Sequence, residues 1–138
     1  MRSLELIEHT ADVGIRARGD TLDELAVACA EGMVSILAAE GEIQEKKSVE
    51  IAVEGESPED LIHEWLRELL YRFDADGLVF RRFDVHEASD TRLCATCIGE
   101  RFDPSRHKGG TEIKAVTYHR FRVERGDDGW TAEVLFDI

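Results

Sequence analysis

The sequence has few of the residues and motifs that assign a chemistry by themselves. Its 138 residues include three cysteines, two prolines and two tryptophans, and no apolar run approaches the ~20 residues that span a bilayer. We find no G-x-S-x-G nucleophile turn, no G-x-x-x-x-G-K-S/T phosphate loop and no G-x-G-x-x-G dinucleotide motif. These absences leave serine hydrolases, P-loop proteins and dinucleotide-dependent enzymes without support.

Basic residues are also scarce. Seventeen lysines and arginines stand against 30 acidic residues, which gives a net charge of −13. Nucleic-acid binding draws its affinity from neutralised phosphates, so we expect weak or no binding to nucleic acid. The charge favours a cation or a basic partner protein. The start, MRSLELIEH, has no apolar signal core, and we expect a cytoplasmic chain.

The cysteines do not predict a metal or redox site. Cys94 and Cys97 have C-x-x-C spacing, but the surrounding segment TRLCATCIGE is typical of a strand. Residues three apart on a strand point to opposite faces. An odd number of cysteines without a signal peptide is typical of reduced thiols.

Two helices are predicted from capping signals and apolar spacing. The first runs from about 21 to 37 and begins at Thr21, which starts a capping box. The second runs from about 58 to 74, with Ser57 as its N-cap and Gly77 as its stop.

The other segments alternate as strands do. The candidate strands are LELIEH, VGIRAR, SVEIAVEG, LVFRRFDVHE, TRLCATCIGERF, EIKAVTYHRFRVE and WTAEVLFDI. The order β-β-α-β-α-β-β-β-β lacks the regular alternation of a doubly wound fold. We therefore predict one α+β domain over 1–138, with a single-layer, mostly antiparallel sheet and two helices on one of its faces.

Three carboxylates are candidate metal ligands: Asp12 at a strand junction, the side chain of Asp137, and the main-chain carboxylate of Ile138. If these strand ends are neighbours, the charges repel unless a cation neutralises them. Oxygen ligands favour Ca²⁺, Mg²⁺ or Mn²⁺. From spacing alone the simpler interpretation is preferred, in which Asp12 caps a turn and Asp137 is a solvated strand end.

Lys114 and the histidines allow two interpretations each. Lys114 lies among apolar residues of a predicted strand, where a lysine either has a shifted pKa or extends to water. His9 and His119 are candidate ligands or acid–base groups, although isolated histidines are more often structural. We predict that His63 is a surface residue and that His107 is a loop residue.

Four stretches carry a resemblance to a known family. HTADVGIRARG, HEWLRELLYRFD, RHKGGTEIKAVTYH and the final FDI, in this order, resemble the archease family over essentially the whole chain. The KGG of the late loop departs from the pattern, and we expect it to add flexibility there.

The resemblance implies a function. Archeases are small α+β proteins that assist the tRNA-splicing RNA ligase, which joins 2′,3′-cyclic or 3′-phosphate ends to 5′-hydroxyl ends with GTP and Mn²⁺. We therefore expect an accessory protein, not an enzyme, that promotes guanylylation and multiple turnover of the ligase.

The resemblance also implies site residues. The metal ligands are then Asp12, Asp137 and the carboxylate of Ile138, with Ca²⁺ the expected ion and Mg²⁺ or Mn²⁺ as alternatives. Lys114 and His9 are the residues expected to act in ligase activation. Two other functions stay open: a general chaperone or modulator that needs no metal, and a stand-alone metal-dependent hydrolase, which ranks last because no nucleophile and base are apparent.

Overall fold

The computed structural model describes residues 2–8 and 12–138, without the side chains of Ile7 and Glu8. Within these residues two helices and eight strands follow the predicted order, with one strand more than expected. They are β1 (Ser3–Glu8), β2 (Asp12–Gly19), α1 (Leu22–Leu37), β3 (Lys47–Glu54), α2 (Pro58–Asp76), β4 (Leu78–Ala88), β5 (Arg92–Arg101), β6 (Ala115–Val116), β7 (Arg122–Gly126) and β8 (Gly129–Asp137). No helix among them is both long and apolar enough to cross a membrane.

The strands form two antiparallel sheets. The larger has the order β1-β2-β8, and β6 and β7 both pair with β8; the smaller has the order β3-β5-β4. The α+β class, the antiparallel pairing and the two helices are confirmed, but the strands divide into two sheets where we predicted one. Alternation of side chains shows which residues face a core, and it does not show which strands pair.

Helix α1 packs against both sheets. It contacts β2 and β8 of the larger sheet and β4 of the smaller one. Its predicted apolar stripe is buried, and so are Val27, Ala28 and Ala30 on its other sides. A helix that packs on one sheet keeps a polar face. The small residues on these further faces of α1 let a second layer pack closely.

Helix α2 begins and ends at the predicted signals. The Ser57 hydroxyl accepts a hydrogen bond of 3.1 Å from the Asp60 N–H, and Gly77 adopts the left-handed conformation with φ of 68°. Trp65 on α2 is fully buried. Its indole Nε1–H donates to the carbonyl of Ala26 on α1 at 3.0 Å, which fixes the two helices relative to each other.

The predicted strand EIKAVTYHRFRVE is interrupted. Strands β6 and β7 pair with the same edge of β8, opposite residues 136–137 and 129–133. Thr117 still donates to the Leu135 carbonyl of β8, and the chain then leaves the sheet over 118–121, with a turn in which the Phe121 N–H donates to the Tyr118 carbonyl at 3.2 Å. Arg120 has a φ of 55°, which is left-handed and which alternation cannot indicate.

The two glycines of KGG allow the late loop to pack closely against the end of α1. A Cβ on Gly110 would lie 2.0 Å from the Leu37 carbonyl oxygen, and Gly109 has a φ of 73°. The neighbouring Thr111 N–H donates to the Ile36 carbonyl at 2.7 Å, at the end of α1. The glycines therefore let this loop contact the helix terminus, where we expected them to loosen the loop.

The cysteines agree with the strand interpretation. Cys97 is buried and Cys94 is half-buried on the opposite face of β5, and all three cysteines are free thiols. Burial raises the pKa of Cys29 and of Cys97 to about 12. Thiols with such pKa values are poor nucleophiles and poor metal ligands at neutral pH.

Candidate metal and partner-binding site

The larger sheet places Asp12 and Asp137 directly opposite each other. They are cross-strand partners in the β2–β8 pair, at the end where β2 starts and β8 stops. Side chains at opposite positions of antiparallel strands lie on one face with Cβ atoms about 5 Å apart. Alternation from the buried Ile15 and Phe136 puts both carboxylates on the face that points away from the helices.

The two carboxylates have no compensating partner within the described part of the chain. Asp137 is exposed and Asp12 is half-buried. Neither carboxylate forms an ion pair within 4.0 Å or a side-chain hydrogen bond with another described residue. Like charges directly opposite each other destabilise a sheet, so this pair has the charge and the free oxygen atoms that suit a hard divalent cation.

Lys114 lies on the other side of Asp137. Its backbone N–H donates to the Asp137 carbonyl at 2.7 Å, and the next residue, Ala115, is the cross-strand partner of Asp137 in β6. The Lys114 side chain is exposed and has no ion-pair partner among the described residues. Lys114 immediately precedes β6, and its backbone bond places it next to Asp137, which in turn lies opposite Asp12.

The remaining predicted site residues are less well defined. Ile138, whose main-chain carboxylate is the third predicted ligand, follows Asp137 directly and is half-buried. His9 lies outside the described residues. Within 2–8 and 12–138 no group of three or more His, Cys, Asp or Glu side chains is arranged to hold a metal ion. A complete coordination shell therefore needs a ligand beyond Asp12 and Asp137.

His63 contacts the segment that follows Lys114. Our prediction that His63 is a surface residue was wrong. It is 1% exposed, its Nε2 lies 3.1 Å from the Val116 carbonyl, and its ring stacks on Tyr118 with centroids 3.7 Å apart. Burial lowers the pKa of His63 below its ordinary 6.5. The spacing of His63 from Leu66 and Leu70 on the buried face of α2 is the signal that was available.

A buried cluster holds the loop that precedes Lys114. Glu100 on β5 accepts hydrogen bonds from Arg106 at 2.5 Å and from the Gln44 N–H at 2.7 Å. Arg106 is the main reason that the pKa of the Glu100 carboxyl falls from 4.5 to about 2. The His107 Nδ1 accepts from the Asp103 N–H at 2.9 Å.

The second ring nitrogen of His107 completes this cluster. Because its Nδ1 is an acceptor, Nε2 carries the ring proton and donates to Glu100 at 3.1 Å. His107 is therefore a neutral, buried imidazole at 2% exposure, which sequence reasoning treated as an ordinary loop residue. Its hydrogen-bond partners Asp103 and Glu100 precede it by four and seven residues, but no pattern in the sequence indicates that the ring is buried.

Comparison with known proteins now decides the family. A model of the Archease protein family matches residues 4–138. The chain belongs to this family. The match includes every residue of the carboxylate pair and of the Lys114 segment.

Relatives in the family cover the chain from end to end. The protein archease of Pyrococcus furiosus is 44% identical over 142 residues, with 100% of both chains covered. That of Methanopyrus kandleri is 38% identical and covers 97% of this chain and 98% of its own.

Two solved structures share the fold. The solution structure of Methanobacterium thermoautotrophicum protein 1598 has a TM-score of 0.76 at 31% identity and covers 98% of each chain. The crystal structure of a Thermotoga maritima archease, described as a possible chaperone, has a TM-score of 0.65 at 29% identity and covers 96% of this chain and 94% of its own. The arrangement of helices and sheets is therefore that of the family.

Proposed function

We propose that this protein is a cytoplasmic accessory protein, without catalytic activity of its own, that activates the GTP- and Mn²⁺-dependent tRNA-splicing RNA ligase. In this proposal it promotes guanylylation of the ligase and so sustains multiple turnover in tRNA splicing. Membership of the family supports the proposal. The observation that carries it is the pair of opposed, uncompensated carboxylates, Asp12 and Asp137, beside Lys114.

The residues of the site suggest how the protein contributes. Asp12, Asp137 and the carboxylate of Ile138 would hold a divalent ion, Ca²⁺ first among the candidates. A bound ion neutralises the carboxylates and offers positive charge to a phosphate. The unpaired ammonium of Lys114, one strand away, is free to contact a phosphate or a carboxylate of the ligase. If these contacts are stronger with one conformation of the ligase, they shift the ligase population toward that conformation.

The net charge of −13 fits a protein that binds the ligase and does not bind the RNA. An acidic protein is repelled by RNA and gains nothing from phosphate neutralisation. We therefore assign RNA binding to the ligase and protein binding to this chain.

The test measures product per ligase molecule. The ligase of the same organism is mixed with GTP, Mn²⁺ and an excess of RNA bearing cyclic-phosphate and 5′-hydroxyl ends, with and without this protein. The covalent ligase–guanylate adduct is quantified in parallel. We expect many turnovers only with the protein, and a loss of at least about tenfold for Asp137→Asn, which corresponds to ~1.4 kcal/mol.

A matched control is available just before the opposite end of β8. Asp128→Asn makes the same chemical change in the turn before β8, about 30 Å from Asp137 at the rise of a strand. It should stimulate the ligase as the unchanged protein does. Equal loss from both variants, or no stimulation by the unchanged protein, contradicts the proposal.

The second candidate is a general chaperone or modulator, favoured by the description of the Thermotoga maritima structure as a possible chaperone. It predicts that Asp137→Asn leaves activity on partner proteins intact and that chelators have no effect.

A further inference from the structure

A cavity apart from the carboxylate site is lined by aromatic and acidic residues. It lies where the ends of α1 and α2 meet the 102–113 loop and has a volume of about 420 Å³. This is in the size range of small ligand pockets. The residues that form its apolar and aromatic wall are Leu37, Phe73, Phe102, Pro104, His107 and Ile113.

Three aromatic rings form one side of this pocket. Phe73 and Phe102 meet edge to face with centroids 5.1 Å apart, and Phe102 lies 5.5 Å from the His107 ring. Both phenylalanines are only half-buried, so part of each ring remains accessible. His107 is fixed as a neutral imidazole by its two hydrogen bonds. The wall is therefore aromatic and uncharged; Phe73 and Phe102 offer ring surface to a ligand, and the buried His107 ring lies behind them.

Two carboxylates complete the pocket. Asp74 and Glu112 line it, are exposed, and have no ion-pair or hydrogen-bond partner among the described residues. Lys108 is the one cationic side chain among the described residues of the lining, because His107 is neutral. Two free carboxylates against one ammonium, next to aromatic faces, form an environment that attracts a planar organic cation.

We propose that this pocket binds an arginine side chain of a basic segment in a partner protein. A guanidinium stacks on aromatic rings and donates to carboxylates in one planar arrangement, which a lysine ammonium cannot match. The net charge of −13 favours a partner segment that carries several positive charges over an isolated cation. This inference does not depend on ligase activation, since no residue of the carboxylate pair lines the pocket.

The test is an NMR titration of the ¹⁵N-labelled full-length protein with short capped peptides. The probe is Ac-Gly-Arg-Arg-Gly-amide, and the matched neutral probe replaces both arginines with citrulline, which keeps the shape and removes the charge. We expect saturable shifts at the amides of 109–112, and at least about tenfold weaker binding of the citrulline peptide. Agmatine and the dilysine peptide complete the series and should both bind more weakly than the arginine peptide.

Variants locate the binding. Asp74→Asn and Phe102→Leu should each weaken binding about threefold to tenfold, whereas Asp90→Asn, an exposed change in the β4–β5 turn, should have no effect. The same spectra report whether each variant is folded, and Asp74 is exposed enough to be replaced without disturbing the core.

Four outcomes overturn the proposal: no shifts at 109–112, equal binding of the citrulline peptide, equal or tighter binding of the dilysine peptide, or equal weakening by Asp90→Asn. Tighter binding of agmatine than of the arginine peptide assigns the pocket to a free small amine and also overturns it.

Discussion

Replacing Asp137 with asparagine should change the thermal stability in opposite directions with and without a divalent ion. Asp12 and Asp137 are cross-strand partners, and neither forms an ion pair with a described residue. Without an ion they repel, so Asp137→Asn removes an unfavourable interaction. With an ion the same change removes a ligand.

The size of the effect without an ion follows from the geometry. With the Cβ separation of about 5 Å taken as the distance between the charges, two unit charges in a water-like medium repel by about 0.8 kcal/mol at low salt. A water-like medium is appropriate because Asp137 is exposed and Asp12 is only half-buried. For a chain of this length, this corresponds to a rise in Tm of about 3 °C for Asp137→Asn. Screening at physiological salt reduces the rise to about half.

The effect with an ion is larger. An ion present at a hundredfold excess over its Kd stabilises the folded state by about 2.7 kcal/mol, or roughly 9 °C for this chain. We expect that gain for the unchanged protein and little or none for Asp137→Asn. The unchanged protein should therefore melt lower than the variant in EDTA and higher than it in excess Ca²⁺.

The assay is differential scanning calorimetry in EDTA, Ca²⁺, Mg²⁺ and Mn²⁺, with Asp128→Asn as the control for the loss of one surface carboxylate. A variant that is less stable than the unchanged protein in EDTA would refute the idea of an uncompensated pair. Equal stabilisation of both proteins by every ion would refute the metal site.

Three further predictions concern the scaffold. Gly110→Ala should destabilise the protein by about 1–3 kcal/mol in urea unfolding, because the new Cβ would lie 2.0 Å from a backbone carbonyl oxygen. The control is Gly126→Ala, whose Cβ would have one oxygen at 4.0 Å as its nearest neighbour. This change should alter stability by less than about 0.5 kcal/mol. Ellman's reagent should modify only Cys94 quickly in the folded protein and all three thiols after unfolding, and fast reaction of a second thiol would contradict the observed burial. The pKa of Glu100 is lowered on folding from 4.5 to about 2. Its contribution to stability is therefore fully present above pH 4.5 and is lost as the pH falls toward 2. Glu100→Gln should flatten this part of the plot of unfolding free energy against pH, and an unchanged plot would contradict the lowered pKa.

Local signals in the sequence were sufficient for the helices. Ser57, Pro58 and Gly77 determine where α2 begins and ends because capping depends on backbone groups within a few residues. The opposite faces of Cys94 and Cys97 followed from the period of a strand for the same reason. In each case the determining interaction lies within one turn or one strand.

The buried histidines show where local signals failed. His63 was predicted at the surface, yet its side chain is covered by Tyr118 and Phe121 from a distant segment. His107 lies in a loop as predicted, but its burial in a cluster with Glu100 and the Gln44 N–H was not predicted. A polar residue is buried only where such partners exist, and a single sequence does not identify them.

The sequence by itself therefore determined the composition of the candidate site and the two helices, whereas the tertiary structure decided what lies next to what. Asp12 and Asp137 stand near opposite ends of the chain, and only the β2–β8 pairing makes them neighbours. The division into two sheets depends likewise on pairing between distant strands. The physical reason is that a β-sheet joins backbone groups without regard to sequence separation, so strand register and neighbours depend on packing of the whole chain.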